Sequence, residues 1–243
     1  MKKNFLTAGC LFFIVVIRAQ GDPAITEVWN PVPKVISPGA KSSDAPSDAI
    51  VLFDGKNGNG WTQVNGKDFN WKIDSGFMMV NPGTGDIKTK QGFGSCQLHI
   101  EWRTPVLVKG VSQGRGNSGI FLMSRYELQV LDNYNNRTYS NGQAGSIYKQ
   151  RMPLVNACRP PGEWQSYDVI FTAPQFNADS TVKSAARITV LHNGILVQNN
   201  IELWGSTAYI GTPKYIMHNS KEPIVLQDHG NLVSFRNIWI REL

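Results

Sequence analysis

A chain of 243 residues is long enough for one all-β domain or two small ones, and because no internal linker divides its later part, a single domain is expected. Its formal charge of +6 is not gathered into a Lys/Arg run or a basic helix, which sets nucleic acid aside as a partner. No apolar run is long enough to make a comfortable membrane span.

The chain opens with Lys2 and Lys3 ahead of an apolar run, Phe5 to Ile17, and then Arg18-Ala19-Gln20-Gly21. That order is expected of a secretory signal peptide at residues 1–20, and therefore of a protein exported to the periplasm or the exterior. Gly9-Cys10 hints at a lipoprotein, but a lipid-bearing cysteine should follow the apolar run and Cys10 lies inside it. A lipoprotein anchor is thus the weaker alternative. Cleavage would remove three cationic residues and no acidic one, which lowers the formal charge to +3. Cys96 and Cys158 would remain, and they either bridge or stay as two buried apolar thiols, since spacing alone does not say how close their Cα atoms come.

Residues 21–48 read as a proline-rich arm, with Pro23, Pro31, Pro33, Pro38 and Pro46 among serines and no amphipathic period. Such segments tend to extended, polyproline-like conformations. Trp29, Val32, Val35 and Ile36 predict that part of the arm packs on the domain that follows, residues 49–243.

From there the pattern is short extended runs broken by turn residues. Ile50 to Phe53 precedes a cluster of Asp, Asn and Gly. Trp71 to Ile73 and Phe77 to Val80 flank Asp74-Ser75-Gly76, a hairpin loop. Leu98 to Thr104 alternates, with His99, Glu101 and Arg103 on one face and Leu98, Ile100 and Trp102 on the other. Ile120 to Met123, Tyr126 to Leu131, Tyr167 to Thr172, Ala186 to Leu191, Ile195 to Gln198 and Leu232 to Arg241 are further strands, with a second hairpin turn at His192-Asn193-Gly194. No window holds a helical period over several turns. Many short strands at this spacing predict a two-sheet sandwich or a barrel.

The stretch Gly114 to Asp132 carries the most chemistry. Along Tyr126 to Leu131, Tyr126, Leu128 and Val130 share one face and Glu127 and Gln129 the other. Asp132 falls on the apolar face by strict alternation, and a β-bulge would bring it round beside them. Gly114-x-Gly116-x-x-Gly119 matches a dinucleotide string, but β-branched and aromatic residues follow instead of a helix, so a tight turn is expected. Asn117 within it is able to meet a sugar hydroxyl. Asp54, Asn57 and Asn59 make either an ordinary turn or a calcium loop. The four histidines show no zinc spacing, and Asn136-Arg137-Thr138 matches a glycosylation acceptor. Near the C-terminus Gln227 and His229 alternate with Leu226 and Asp228, so both are placed to line one groove.

Leu52-Phe-Asp-Gly-Lys56 with Gly60-Trp61, Glu101-Trp-Arg103, Gly116-Asn-Ser-Gly-Ile120, Tyr126-Glu-Leu-Gln-Val-Leu-Asp132, Gly145-Ser-Ile-Tyr148, Pro161-Gly-Glu-Trp164, Leu226-Gln-Asp-His-Gly230 and Phe235-Arg-Asn-Ile238 resemble, in order, the motifs of the 3-keto-disaccharide hydrolase family. The resemblance implies an all-β, two-sheet antiparallel jelly-roll sandwich of the concanavalin A-like lectin/glucanase type. It also implies export and a carbohydrate substrate already oxidised to a ketone at C3. Glucanases of that fold carry Glu-x-Asp-x-x-Glu on a bulged strand, whereas this chain has Glu127-x-Gln129-x-x-Asp132. Asp132 is one methylene shorter than Glu, and a retaining mechanism needs its two carboxyls about 5–5.5 Å apart.

A 3-keto sugar opens another route: a base removes the acidified C2 proton, the C1 substituent leaves by elimination, and water adds to the enone. Glu127 or His229 is the expected base, with Asp132 as partner acid or orienter. Arg103, Lys149 or a divalent cation would face the enolate oxygen. Glu101, Asn117, Gln129, Tyr148 and Gln227 would bind hydroxyls, and Trp164 would stack on a ring or pack into the core. For Glu101 and Arg103 an ion pair on the sheet surface competes with substrate binding. A noncatalytic carbohydrate-binding module with the same groove is the alternative, and a tethered structural domain a third.

Overall fold

Period-two alternation can bury one face of a strand only if a second layer covers it. The computed structural model, which describes residues 21–243, meets this with two antiparallel sheets face to face. The signal-peptide expectation falls on residues 1–20 and lies outside the described residues. In chain order the strands are β1 (Ile50–Phe53), β2 (Trp61–Gln63), β3 (Lys72–Asp74), β4 (Phe77–Met79), β5 (Ile87–Phe93), β6 (Cys96–Arg103), β7 (Ser118–Leu122) and β8 (Tyr126–Val130), followed by β9 (Gln165–Thr172), β10 (Gln175–Phe176), β11 (Val182–Ser184), β12 (Arg187–His192), β13 (Ile195–Glu202), β14 (Glu222–Leu226) and β15 (Ser234–Glu242). The larger sheet runs β13-β12-β9-β6-β15-β4-β3, with β1 also paired to β15; the smaller runs β2-β5-β14-β7-β8. A separate hairpin, β10-β11, completes the set.

The core fills the space between the sheets. Leu98, Ile100 and Trp102 of β6 and Tyr167, Val169 and Phe171 of β9 are buried from one side, and Ile120, Leu122, Tyr126, Leu128 and Val130 from the other. Each such side chain contributes about 1.5–3 kcal/mol by leaving water. The alternation expected for Leu98 to Thr104 is therefore observed, and that of Tyr126 to Leu131 as far as Val130; Leu131, expected on the face of Glu127 and Gln129, is buried in the core instead, beyond the end of β8. The two expected hairpins close with both turn residues at positive φ, Ser75 (48°) with Gly76 (82°) and Asn193 (53°) with Gly194 (79°), the geometry that matches strand twist.

Four elements escape the sequence pattern. β5 interrupts its apolar residues with Lys88, Lys90 and Gln91, and β14 begins with Glu222-Pro223, yet β5 and β14 pair in the middle of the smaller sheet. β2 and the β10-β11 hairpin are too short to show a period.

The chain divides into two units at Val35/Ile36. The described part of the first, residues 21–35, has a 3₁₀ turn at Pro23–Thr26 capped by Asp22. Ile36, the first residue of the second unit, is half-buried. In the second unit it is polar groups that fasten residues 36–48: Asn237 Nδ2 and Trp239 Nε1 each donate to Ser43 O at 2.9 Å, and Arg241 forks onto the Asp48 carboxylate.

Behind β8 the buried Tyr167 hydroxyl crosses between the sheets and donates to Gln129 O at 2.8 Å. The same carbonyl accepts from Gly145 N at 3.1 Å, so deleting the hydroxyl leaves no orphaned acceptor. Tyr167→Phe is therefore expected to cost only about 1 kcal/mol, read as a lower urea midpoint with an unchanged slope; an unmoved midpoint would remove this tie from the account.

Candidate active site

β8 is apolar toward the core and polar toward the outside, and everything at the site is set by that second face. Its neighbour β7 pairs Gly119 with Gln129 and Phe121 with Glu127. On its far edge, Gln129 N donates to Ser146 O (3.0 Å) and Tyr148 N to Glu127 O (3.2 Å), so residues 146–148 cover an edge that would otherwise be open. The Thr207 hydroxyl receives Glu127 N at 3.0 Å. A cleft of about 440 Å³ opens on this face, lined by Asn117, Phe121, Glu127, Gln129, Tyr148, Thr207, Tyr209, Gln227 and His229. Glu127, Gln129, Asn117, Tyr148, Gln227 and His229, all expected from sequence, thus share one hollow. Phe121, Thr207 and Tyr209 join them without any signal in the sequence, because they arrive from a facing strand position and a surface loop.

Glu127 is the carboxylate of this cleft and is 5% exposed. Burial, reinforced by the negative charge of Asp86, pushes its pKa up to about 8. Asp86 is itself raised by burial, against the pull of the Asp228 N–H that donates to it at 2.8 Å. The Gln129 amide reaches Gln113 Oε1 (3.0 Å) and, turned over, offers its nitrogen to Glu127 Oε1 at 3.2 Å. Tyr148 bonds Tyr139 through their hydroxyls at 2.6 Å, and burial followed by that bond raises its pKa. It is thus a neutral hydroxyl facing the cleft. His229 is exposed at the mouth.

Gly119 makes room for the acid. A Cβ there would lie 2.8 Å from Glu127 Oε1 and 2.9 Å from the Phe121 ring. Within the glycine string, only Gly116 adopts positive φ (56°), and a Cβ there would strike Thr104 and Asp132, so the string serves a turn and a close approach.

The remaining expected residues are placed elsewhere. Asp132 follows β8 without a bulge that turns it to the cleft. Its carboxylate accepts Arg115 Nε at 2.7 Å and Tyr134 N at 3.1 Å and lines a neighbouring hollow. Lys149 is not among the residues that line the cleft; it donates to Tyr209 O at 2.6 Å and sits 4.1 Å from the Tyr209 ring centre. Glu101, Arg103 and Trp164 belong to the outer face of the other sheet. Glu101 pairs not with Arg103 but with Arg236 (2.6 Å) and Asn237 (2.9 Å). Arg103 stacks on Phe77 and Trp164, and Arg236 also lies over Trp164.

That second polar cluster is internally compensated. Burial would lower the pKa of His99, but its bond to Asp168 (2.6 Å) and the Glu101 carboxylate 3.7 Å from Nε2 raise it to about 9. Burial would raise Glu101, but His99, Asn237 and Arg236 hold it down to about 2. Cys96 and Cys158 are free, both thiols pushed up to about 12, first by burial. Asp54 and Asn57 accept from backbone N–H groups two residues on, as ordinary turns do. Asn136 of the glycosylation pattern spends its amide on Ser112 and Asp132. Among the described residues no group of three or more His, Cys, Asp or Glu is arranged to hold a metal ion.

Known proteins share this arrangement of chain. A family model described as the 3-keto-alpha-glucoside-1,2-lyase-like domain matches residues 48–241. A curated 3-keto-disaccharide hydrolase from Bacteroides thetaiotaomicron is 27% identical over 299 aligned positions spanning all of both chains. The crystal structure of a candidate glycosyl hydrolase from Parabacteroides distasonis superposes with a TM-score of 0.89 at 50% identity, covering 93% of this chain and 98% of that one. A second from the same organism, 23% identical with a TM-score of 0.61 over 86% of this chain and all of its own, shares the fold.

Two outcomes follow from the buried acid. With its pKa raised from 4.5 to about 8, Glu127 imposes no penalty below about pH 4.5 and a growing one up to pH 8, as the unfolded chain ionises and the folded one resists. Glu127→Gln should therefore unfold later than the parent above pH 8, by on the order of 3–5 kcal/mol, and the gap should close in acid. Equal stability at both ends would mean that Glu127 is solvated. Gly119→Ala should move the carboxyl and cut turnover at least about tenfold while lowering stability by only about 1 kcal/mol; unchanged turnover would show that this space is not needed.

Proposed function

Since the chain belongs to the 3-keto-alpha-glucoside-1,2-lyase-like family, we propose that it cleaves the glycosidic bond of 3-keto-glycosides, 3-keto-disaccharides among them. The observation that carries the reading is a lone carboxyl, Glu127, held near neutral pKa in a polar cleft. Ordinary glycosidases set two carboxyls across the scissile bond. Here the second acidic residue of the strand, Asp132, is bound to Arg115 in the next hollow.

A raised pKa makes Glu127 a stronger base than a solvated carboxylate, and its matching to neutral pH is what general base catalysis wants. Glu127 takes the C2 proton, and the electron pair moves onto the C3 oxygen as an enolate. The hydroxyl of Tyr148 and the amide of Gln129 are the neutral donors beside Glu127 that would hold that oxygen. The enolate then re-forms the ketone, a C1=C2 double bond appears, and the C1–O bond breaks. The departing oxygen takes a proton at the cleft mouth, where His229 stands. Water adds to C1 of the enone and a proton returns to C2, so the net change is hydrolysis; release before hydration would make the protein a lyase. Asn117 and Gln227 bind hydroxyls of the sugar. Two relatives, a 3-keto-disaccharide hydrolase and a candidate glycosyl hydrolase, agree with the reaction class.

A panel of disaccharides with and without a C3 ketone tests the reading. Turnover is expected only for the oxidised sugars, with kcat/KM rising through an apparent pKa of about 8. Glu127→Gln should lower kcat by about 10²–10⁴-fold and leave sugar binding in place. Equal cleavage of unoxidised sugars, or full turnover by Glu127→Gln, would overturn it.

A further inference from the structure

Beside the cleft lies a second hollow of about 320 Å³, whose apolar walls come from Pro82, Pro105, Leu107, Val108 and Leu232. The two are separated by single residues. Gly116 lines the hollow and Asn117 the cleft; Gly230 lines the hollow and His229 the cleft. Asn117 N donates to Asn231 Oδ1 at 2.6 Å, which ties together the two segments that border both spaces.

From this adjacency we infer that the hollow receives the aglycone, and that the chain's preferred substrate is a 3-keto-glycoside carrying a neutral aromatic ring at C1. The inference rests on the reaction proposed above, in which the leaving group departs on the His229 side. A sugar in the hollow would bring its hydroxyls against proline, leucine and valine, and hydroxyls buried without partners are costly. A flat apolar ring meets no such penalty, and proline and leucine side chains suit its faces. The space suffices, since a dry cavity of about 150 Å³ accepts benzene. Of the two cations in the wall, Arg115 is neutralised, giving its Nε to Asp132 and an NH2 to Tyr134 O, and Lys109 is exposed to water. The surroundings are apolar too: Leu107 is 69% exposed and Ile210, next to the cleft residue Tyr209, is 86% exposed. Apolar side chains left in water at the mouth of a sugar site are accounted for if a ring covers them.

The test separates the hollow from the chemistry. Glu127→Gln protein, in which turnover is suppressed, is titrated calorimetrically with phenyl glucoside and methyl glucoside. The phenyl compound should bind at least about tenfold more tightly, or about 1.4 kcal/mol, and the advantage should vanish in the Glu127→Gln, Leu107→Asp double variant and in its Leu232→Asp counterpart. Using both variants guards against one that folds poorly, with the thermal midpoint read alongside. Equal affinities, no measurable binding of either compound, or an advantage that survives both substitutions would overturn the assignment. So would a concentration-dependent dimer dissolved by Leu107→Asp, which would give the hollow to a second copy of the chain. Because the titration needs no 3-keto group, failure of the parent enzyme to turn over 3-keto substrates would condemn the proposed reaction and leave a positive binding result standing.

Discussion

Glu127 carries its carboxyl into a place that water barely reaches, with Asp86 adding negative charge from the side. Burying an acid without a cation to pair it is unfavourable, so the surrounding structure must hold it there. The holding is done by β8 itself. Tyr126, Leu128 and Val130 anchor one face in the core, the Tyr167 hydroxyl ties the strand to the opposite sheet, and residues 146–148 cover its free edge. Given that anchoring, the polar face has little freedom, and Gly119 on the facing strand leaves room where a Cβ would crowd the acid.

The molecule has a second concentration of polar side chains, and the contrast between the two is informative. On the outer face of the larger sheet, His99, Asp168, Glu101, Arg236 and Asn237 set opposite charges and hydrogen-bonding groups against one another. Their pKa values move toward the charged forms, about 9 for His99 and about 2 for Glu101. In the cleft the shift has the opposite sense, because Glu127 is desolvated without compensation. Paired charges stabilise an arrangement; an unpaired one stores free energy that a substrate is able to use. The proton chemistry proposed above is therefore assigned to the cleft, while Asn237 of the other cluster, with Trp239 and Arg241 on the same strand, fastens residues 36–48 through Ser43 and Asp48.

That contrast also bears on the choice between a catalyst and a simple binder. Neutral sugars can be held by amides, hydroxyls and aromatic faces, all of which the cleft possesses. A destabilised acid adds nothing to such binding, and its presence argues for proton transfer. The separation of Asp132 from the cleft by its bond to Arg115 removes the partner that a two-carboxylate glycosidase requires. A substrate already activated by a ketone needs less from the protein, since one base and a hydrogen-bond donor suffice to start elimination.

Much of this was written in the chain at short range. The alternation of Tyr126 to Val130 and of Leu98 to Trp102 decided which face is buried, and the Ser75-Gly76 and Asn193-Gly194 turns decided where strands reverse, because both depend on neighbours one or two residues away. The same alternation placed Gln227 with His229 and Glu127 with Gln129. What local pattern could not decide is which sheet faces belong together. Glu101, Arg103 and Trp164 share the polar look of the cleft residues, yet β6 lies in the other sheet, and only the strand order separates them. Asp132 depended on whether the chain bulged after Val130, and an arginine seventeen residues earlier in sequence captured it instead. Phe121, Thr207 and Tyr209 reach the cleft through pairing and loop packing across long sequence separations. The raised pKa of Glu127 has the same origin, since desolvation belongs to an enclosure and not to a residue type.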